Sequence, residues 1–428
     1  MSASRFAVGM FGSSIPINMV RGSMLLYYVD MRGLDVRAYG IVMAIYAVID
    51  ALDNPVLGYF SDRTRTRWGR RRPWLRLAAP LIVASFIAFF AAPSQLEGMG
   101  LVLWFAVFAI LTEAADSMFS ANYGALLPEA FPQERDRALA NSMRQGFQLL
   151  AMVLSVAVTP WLATQVLGTE DSPVGFTRTA LIYGAIALVA FFVFVSGVRE
   201  DPARQAELPP SFLHSIKDIL TLPLFWAVGI ASACYLIPLA IALSGMQLYV
   251  KYSLDVPVRY TTVVMGIAIA VAASFLPVWT ALVRRFGAPP IWRAAFAVLA
   301  LGFIPLSIAH TLPTAIFGTV VVAVGWSGLL SSNDLIMARI LDHDARKHGV
   351  HREGIFMSAF GVFGRLTGAL GGVALATLGA LYGYFSGDNP GERPGDAFRL
   401  YTGVYPLIFA TVGTIIANLI RLPRAGEE

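Results

Sequence analysis

VIDALDNPVLGYFSDRTRTRWGRRRPW, residues 48–74, sets two carboxylates, Asp50 and Asp53, inside an apolar run that Gly and Pro interrupt. An arginine block follows within a dozen residues. An acid in hydrocarbon costs several kcal/mol unless it is paired or faces water. A basic block just past an apolar run is what holds a membrane span with that end in the cytoplasm. The stretch therefore reads as the end of a transmembrane helix with a polar face, followed by a cytoplasmic loop.

The rest of the chain agrees. Of its 428 residues 57% are hydrophobic and only 14% charged, where a soluble chain carries about a quarter charged. Apolar runs of roughly 18 residues or more recur, each long enough to cross a bilayer. Twelve spans are predicted, near residues 6–30, 38–61, 73–93, 99–127, 139–165, 176–198, 222–250, 258–283, 289–309, 312–338, 354–384 and 400–420. The class is an all-α polytopic membrane protein. The net charge of +5 is a matter of loop orientation and implies no nucleic acid partner. Cys234 is the single cysteine, which excludes a disulfide framework and a cysteine-rich metal site. The first apolar run is a full span, so it is expected to be retained rather than cleaved as a leader.

The least apolar interruption, VREDPARQAELPPSFLHSIKDILTLP at residues 198–223, divides the spans six and six. The expected organisation is a bundle over 1–198, a cytoplasmic linker over 199–221 and a second bundle over 222–428, as in a duplicated transporter. A loose repeat supports it: NPVLGYFSDRTRTRWGRRRPW follows the second span and LPVWTALVRRFGAPPIW the eighth. Lys and Arg concentrate in the loops after even-numbered spans, the linker and both ends, so both termini are expected in the cytoplasm.

Charged groups at membrane depth are site candidates by default. In span 2, Asp50, Asp53 and Asn54 stand at i, i+3 and i+4 on one helix face. Two acids so close repel, and they are expected to share a proton or a cation; carboxylate and amide oxygens suit a small hard ion such as Na⁺. In span 4, Glu113, Asp116, Ser117 and Ser120 share a stripe, either pairing with an arginine or attracting a cation or proton. In span 1, Ser14, Asn18 and Arg21 follow the same rhythm. Arg21 is set to pair with Glu113 or Asp116, or to hold an anionic group of a solute. Arg365 in span 11 lies among small residues that permit close packing. Trp326 in span 10 and Tyr235 in span 7 are candidate cavity aromatics, or packing residues. Arg144 near the start of span 5 faces a cavity or snorkels.

Three segments carry a family resemblance: DALDNPVLGYFSDRTRTRWGRRRPW, YGALLPEAFPQERDRALANSMRQ and DHDARKHGVHREGIFMSAFGVFGRL. With the spacing of the spans, they make the chain similar to the glycoside–pentoside–hexuronide:cation symporter family. That family has the major facilitator superfamily fold, twelve helices in two six-helix bundles. The resemblance implies a cation site at Asp50, Asp53, Asn54 and Ser117, with the family's Asn-then-Asp order reversed at 53–54. It implies that Arg365 stands for the family's span-11 lysine and that Arg144 matches its span-5 arginine. The family's sugar-holding aspartates of spans 1 and 4 become Ser14 and Ser120, and Arg339 replaces a common acid before LDHD.

The function so implied is secondary active transport by alternating access: Na⁺- or H⁺-coupled symport of a sugar-like or related small organic solute. Solute-contacting candidates are Ser14, Asn18, Arg21, Glu113, Asp116, Ser120, Arg144, Trp326 and Arg365. Arg63, Arg65, Arg67 and Arg70 form a gating loop, which would equally set topology beside anionic lipid. A monomer in the bacterial inner membrane is expected, with no cofactor and no metal beyond a possible Na⁺. The rivals are transport of a lysolipid or other amphipathic anion, a proton-driven exporter, and a membrane-embedded enzyme. The last would want an H-E-x-x-H motif or a nucleophile with its base, and most of the few histidines instead fall in the polar run DHDARKHGVHRE.

Overall fold

In the computed structural model, residues 2–66, 69, 71–131, 133–198, 221–348, 353–387 and 390–420 are described. Some helical residues, Asp53, Asn54, Arg63 and Arg365 among them, are described by backbone only. Among the described residues the chain forms twelve long helical rods and no strand. The first six are α1 (Ala3–Met24, continued by Leu25–Met31), α2 (Val36–Arg63), α3 (Arg72–Phe89), α4 (Gly98–Ala130), α5 (Glu134–Met152, continued through Val153–Val158, Thr159–Trp161 and Leu162–Val166) and α6 (Val174–Gly197). The second six are α7 (Pro223–Leu248, continued by Tyr249–Ser253), α8 (Tyr260–Phe286), α9 (Ala288–Ile308), α10 (Leu312–His348), α11 (Glu353–Tyr382) and α12 (Pro394–Arg399, Leu400–Val404 and Tyr405–Leu419). Ten of the rods are long and apolar enough to cross a membrane by length and composition. The other two, α1 and α2, carry Arg21 and Asp50.

Local chemistry sets the boundaries. Asp35 caps α2, its Oδ1 accepting from the backbone N–H groups of Arg37 and Ala38 at 3.0 and 2.9 Å. This satisfies two of the donors that a helix start leaves open. The turn before it passes through Gly33 at φ +66°, a backbone shape that glycine adopts without strain. Pro223 opens α7 and Pro289 lies in the first turn of α9, where a missing N–H costs nothing.

The chain divides into two units. One holds Met1–Leu208 and takes in Pro257–Thr262 and Phe385–Asn389; the other holds Pro209–Val256, Val263–Tyr384 and Pro390–Glu428. The first unit is knit by aromatics: Phe6 of α1 stacks on Tyr123 of α4 at 4.3 Å between centroids, and Phe194 of α6 meets both edge-on. The Tyr123 hydroxyl donates to the Phe6 carbonyl at 2.9 Å. Within the same unit, Glu170 accepts from the Val258 N–H at 3.3 Å, and Arg259 lies 3.9 Å from its carboxylate.

In the second unit α9 and α10 meet along a glycine seam. A Cβ at Gly325 would lie 2.4 Å from the Leu299 nitrogen, and one at Gly302 would lie 2.4 Å from the Val322 nitrogen. Both neighbours are backbone and cannot rotate away. Gly325→Ala is therefore expected to cost about 1–3 kcal/mol, the range for overpacking a filled core. The check is the Tm of the purified protein in detergent, and an unchanged value would remove the seam from the account of stability.

A second repeat is visible at the far ends of α1 and α7. Both finish in a π-helical turn, Leu25–Met31 and Tyr249–Ser253. In each, tyrosine hydroxyls cap the end of the third helix of the same half. Tyr27 and Tyr28 donate to the carbonyls of Phe90 and Phe89 at 2.8 and 2.6 Å. Tyr249 donates to the Leu306 carbonyl at 2.7 Å. A helix end leaves such carbonyls without intrahelical donors, and the buried phenols satisfy them.

Candidate functional site

The polar residues of α1, α2 and α4 converge in the first unit. Arg21 donates from Nη2 to both carboxylate oxygens of Glu113, at 3.1 and 3.4 Å. The Tyr46 hydroxyl, from α2, donates to Glu113 Oε2, and the Ser13 hydroxyl, from α1, donates to Asp116 Oδ1. Asp50 of α2 acts electrostatically on Arg21, Tyr46 and Asp116. The helical register explains the convergence. Tyr46 and Asp50 are i, i+4 on α2, and Glu113 and Asp116 are i, i+3 on α4, so each pair shares a face.

The charge balance of this cluster is unequal. Among the described residues named in it, one cation, Arg21, faces three carboxylates, those of Asp50, Glu113 and Asp116. Glu113 is buried, and its charge is answered by Arg21 and by the Tyr46 phenol. Asp116 has a neutral hydroxyl donor, which stabilises an anion less than a cationic one does. No group of three or more His, Cys, Asp or Glu side chains among the described residues is close enough to hold a metal ion. The acids thus act on one another through their field rather than by meeting at one point.

The remaining sequence candidates fall as follows. Ser14 and Ser117 are buried, Asn18 is half-buried and Ser120 is exposed; none of the four makes a hydrogen bond to the cluster. Asp53 and Asn54 lie one turn beyond Asp50 on α2, and their side chains lie outside the described residues. Arg144 of α5 is half-buried and makes no hydrogen bond or ion pair among the described residues; it lies within electrostatic range of Tyr123. Trp326 is half-buried in α10, and only the backbone of Arg365 is described.

In the arginine loop, Arg65 is exposed, while Arg67, Arg70 and the Arg63 side chain lie outside the described residues. The loop is held by a turn in which the Gly69 N–H donates to the Thr66 carbonyl at 3.0 Å. The Trp74 indole, from the start of α3, donates to Thr64 Oγ1 at 2.9 Å.

Two participants, Ser13 and Tyr46, carry no sequence signal as strong as a charge. Tyr46 had one available: it lies one turn before Asp50 on the same face. Farther along α2, the Ser61 hydroxyl donates to Asn122 of α4, a neutral crossing that joins the two acid-bearing helices below the charged cluster.

Comparison with known proteins places this geometry. The chain is 25% identical over 389 residues to the isoprimeverose transporter of Lactiplantibacillus pentosus, covering 89% of this chain and 80% of that protein. It is 22% identical to the sodium-dependent lysophosphatidylcholine symporter 1 of Gallus gallus, over 61% of this chain and 55% of that one. Among solved structures it resembles the D-xylose–proton symporter with a TM-score of 0.70 at 15% identity, covering 97% of this chain and 95% of that one; this likeness is one of fold. A family model described as MFS/sugar transport protein matches residues 5–424. A polytopic helical chain of two units, with acids gathered at membrane depth and this match over nearly its whole length, belongs to the MFS/sugar transport protein family of membrane transporters.

Proposed function

We propose that the protein takes up a sugar-like solute together with Na⁺ or H⁺, and that the coupling ion is held on α2 at Asp50, Asp53 and Asn54 with Ser117 of α4. The observation that carries this reading is the excess of carboxylates over cations in the cluster of Arg21, Asp50, Glu113 and Asp116. Three carboxylates around one guanidinium are costly at membrane depth, and a bound cation or proton relieves that cost. Coupling follows if the ion binds the alternating states unequally. The two units serve as the two rocking bundles. Both termini lie in the cytoplasm on the charge distribution of the loops, and the arginine loop at residues 63–70 works at that side.

The pairing of Arg21 with Glu113 bears on the solute. An arginine already bridged to a carboxylate is a poor receptor for an anionic head group, so the lysolipid reading loses its first candidate. Arg144, which has no hydrogen bond or ion pair among the described residues, is available for an oxygen of the solute.

The test is transport in proteoliposomes, with labelled isoprimeverose, a glucuronide and lysophosphatidylcholine, each under an inward Na⁺ or H⁺ gradient. Gradient-driven uptake of the disaccharide is the expected result. Uptake of the lysolipid alone, or movement against the imposed gradient only, would overturn symport of a sugar. Preference for the glucuronide would assign Arg144 to a carboxylate.

A further inference from the structure

The second unit holds a polar group that the cluster on α1, α2 and α4 does not use. Ser232 and Tyr235 stand at i, i+3 on one face of α7. That face meets α10: the Ser232 hydroxyl donates to Asn333 Oδ1 at 3.2 Å. The next residue, Asp334, acts electrostatically on the Tyr235 phenol. Asp334 lies inside the apolar span Leu312–Met337, and its side chain is exposed. Among the described residues it has no hydrogen bond and no ion pair.

We infer that Asp334, Tyr235 and Asn333 form a hydroxyl-binding subsite for the transported solute in the second unit. An exposed carboxylate within a span is tolerated where it faces water or a polar ligand rather than lipid tails. The donor and acceptor set then narrows the ligand. Asp334 offers acceptor oxygens, the Tyr235 hydroxyl can both donate and accept, and Asn333 keeps its amide N–H₂ after its oxygen is engaged by Ser232. A neutral polyol, whose every hydroxyl donates and accepts, matches all three. A phosphate or carboxylate would be repelled by Asp334, and a metal ion would want more than one carboxylate. In a sugar site these are the groups that fix orientation, and the carboxylate makes the strongest bonds.

This inference rests on the reading of the protein as a carrier of a sugar-like solute, and the test separates the two. Cys234 is the single cysteine and is buried, so Asp334→Cys in a Cys234→Ser background gives one accessible thiol. Full-length protein in proteoliposomes is treated with a membrane-impermeant methanethiosulfonate. Rapid labelling, slowed by isoprimeverose and not by choline, is expected. No labelling places residue 334 against lipid, and protection by choline alone makes it a cation site; either overturns the subsite. The second arm is Asp334→Asn, expected to raise KM for isoprimeverose about tenfold or more, as loss of a charged hydrogen bond does, with half-saturation by the coupling ion unchanged. An unchanged KM also overturns it. If wild-type protein moves none of the sugars, the sugar-carrier reading fails, while labelling without sugar protection rejects the subsite on its own.

Discussion

Asp50→Asn is expected to abolish cation stimulation of uptake, by about 100-fold, while the protein inserts and purifies as before. Coupling free energies between two ligands run to about 3 kcal/mol, or roughly 150-fold, so eliminating one leaves little gradient-driven accumulation. The amide is nearly the size of the carboxylate, so packing on α2 is kept. What changes is the field: Asp50 acts on Arg21, Tyr46 and Asp116, and its neutralisation removes one of three negative charges opposite one arginine. A group that cannot ionise and offers a cation only the dipole of an amide oxygen leaves the ion little reason to prefer one transport state. Uptake measured with and without the Na⁺ or H⁺ gradient decides the matter, and stimulation equal to wild type would move the ion site elsewhere. Solute exchange at equal concentrations on both sides should survive, which separates a coupling defect from a folding one.

Glu113→Ala is expected to destabilise the first unit strongly. Its carboxylate answers both Arg21 and Tyr46, and its loss leaves a guanidinium and a phenol at membrane depth without their acceptor. Breaking a buried pair costs about 3–5 kcal/mol. The Arg21 side chain is 50% exposed, so water screens part of the charge and the lower figure, about 3 kcal/mol, applies. The reading is a fall in Tm in detergent together with reduced yield. Arg21→Leu added to Glu113→Ala should recover most of the loss, because the stranded charge is gone. A double variant no more stable than Glu113→Ala alone would show that the pair does not govern folding.

Much of this architecture can be read in the sequence because lipid leaves few choices: an apolar run of sufficient length becomes a helix. The ends were less legible. α10 runs on to His348 and α4 to Ala130, past the apolar runs that predict them, because helix continues into polar segments where hydropathy falls silent. The π-helical turns that end α1 and α7 leave no mark in hydropathy either. In the site, Arg21 and Glu113 stood out because a charge inside a span is rare, and opposite charges at membrane depth are natural partners. Their choice of each other over Asp116 depends on how α1 and α4 rotate, which periodicity does not fix. Ser13 and Tyr46 escaped because a hydroxyl in a span is ordinary. Asp334 lies three residues before the end of its apolar run, where a charge reads as interfacial; its nearness to Tyr235 appears only when α7 and α10 are placed together.

The π-helical turns mark a junction common to the two halves. A π turn holds one residue more than an α turn, so it marks the place where a helix absorbed an extra residue without breaking. α1 and α7 hold corresponding places in the two halves, and both carry the turn with tyrosines bonded to the end of the third helix. The shared turn and shared bonding tie the first helix of each half to the end of the third in the same way, so the two junctions are held by buried phenols rather than by loop contacts. The turns in α5 and α12 have no partner in α11 or α6, which run as unbroken α-helices among the described residues. Those turns are therefore private to one half, and only the junction of first and third helix is common to both.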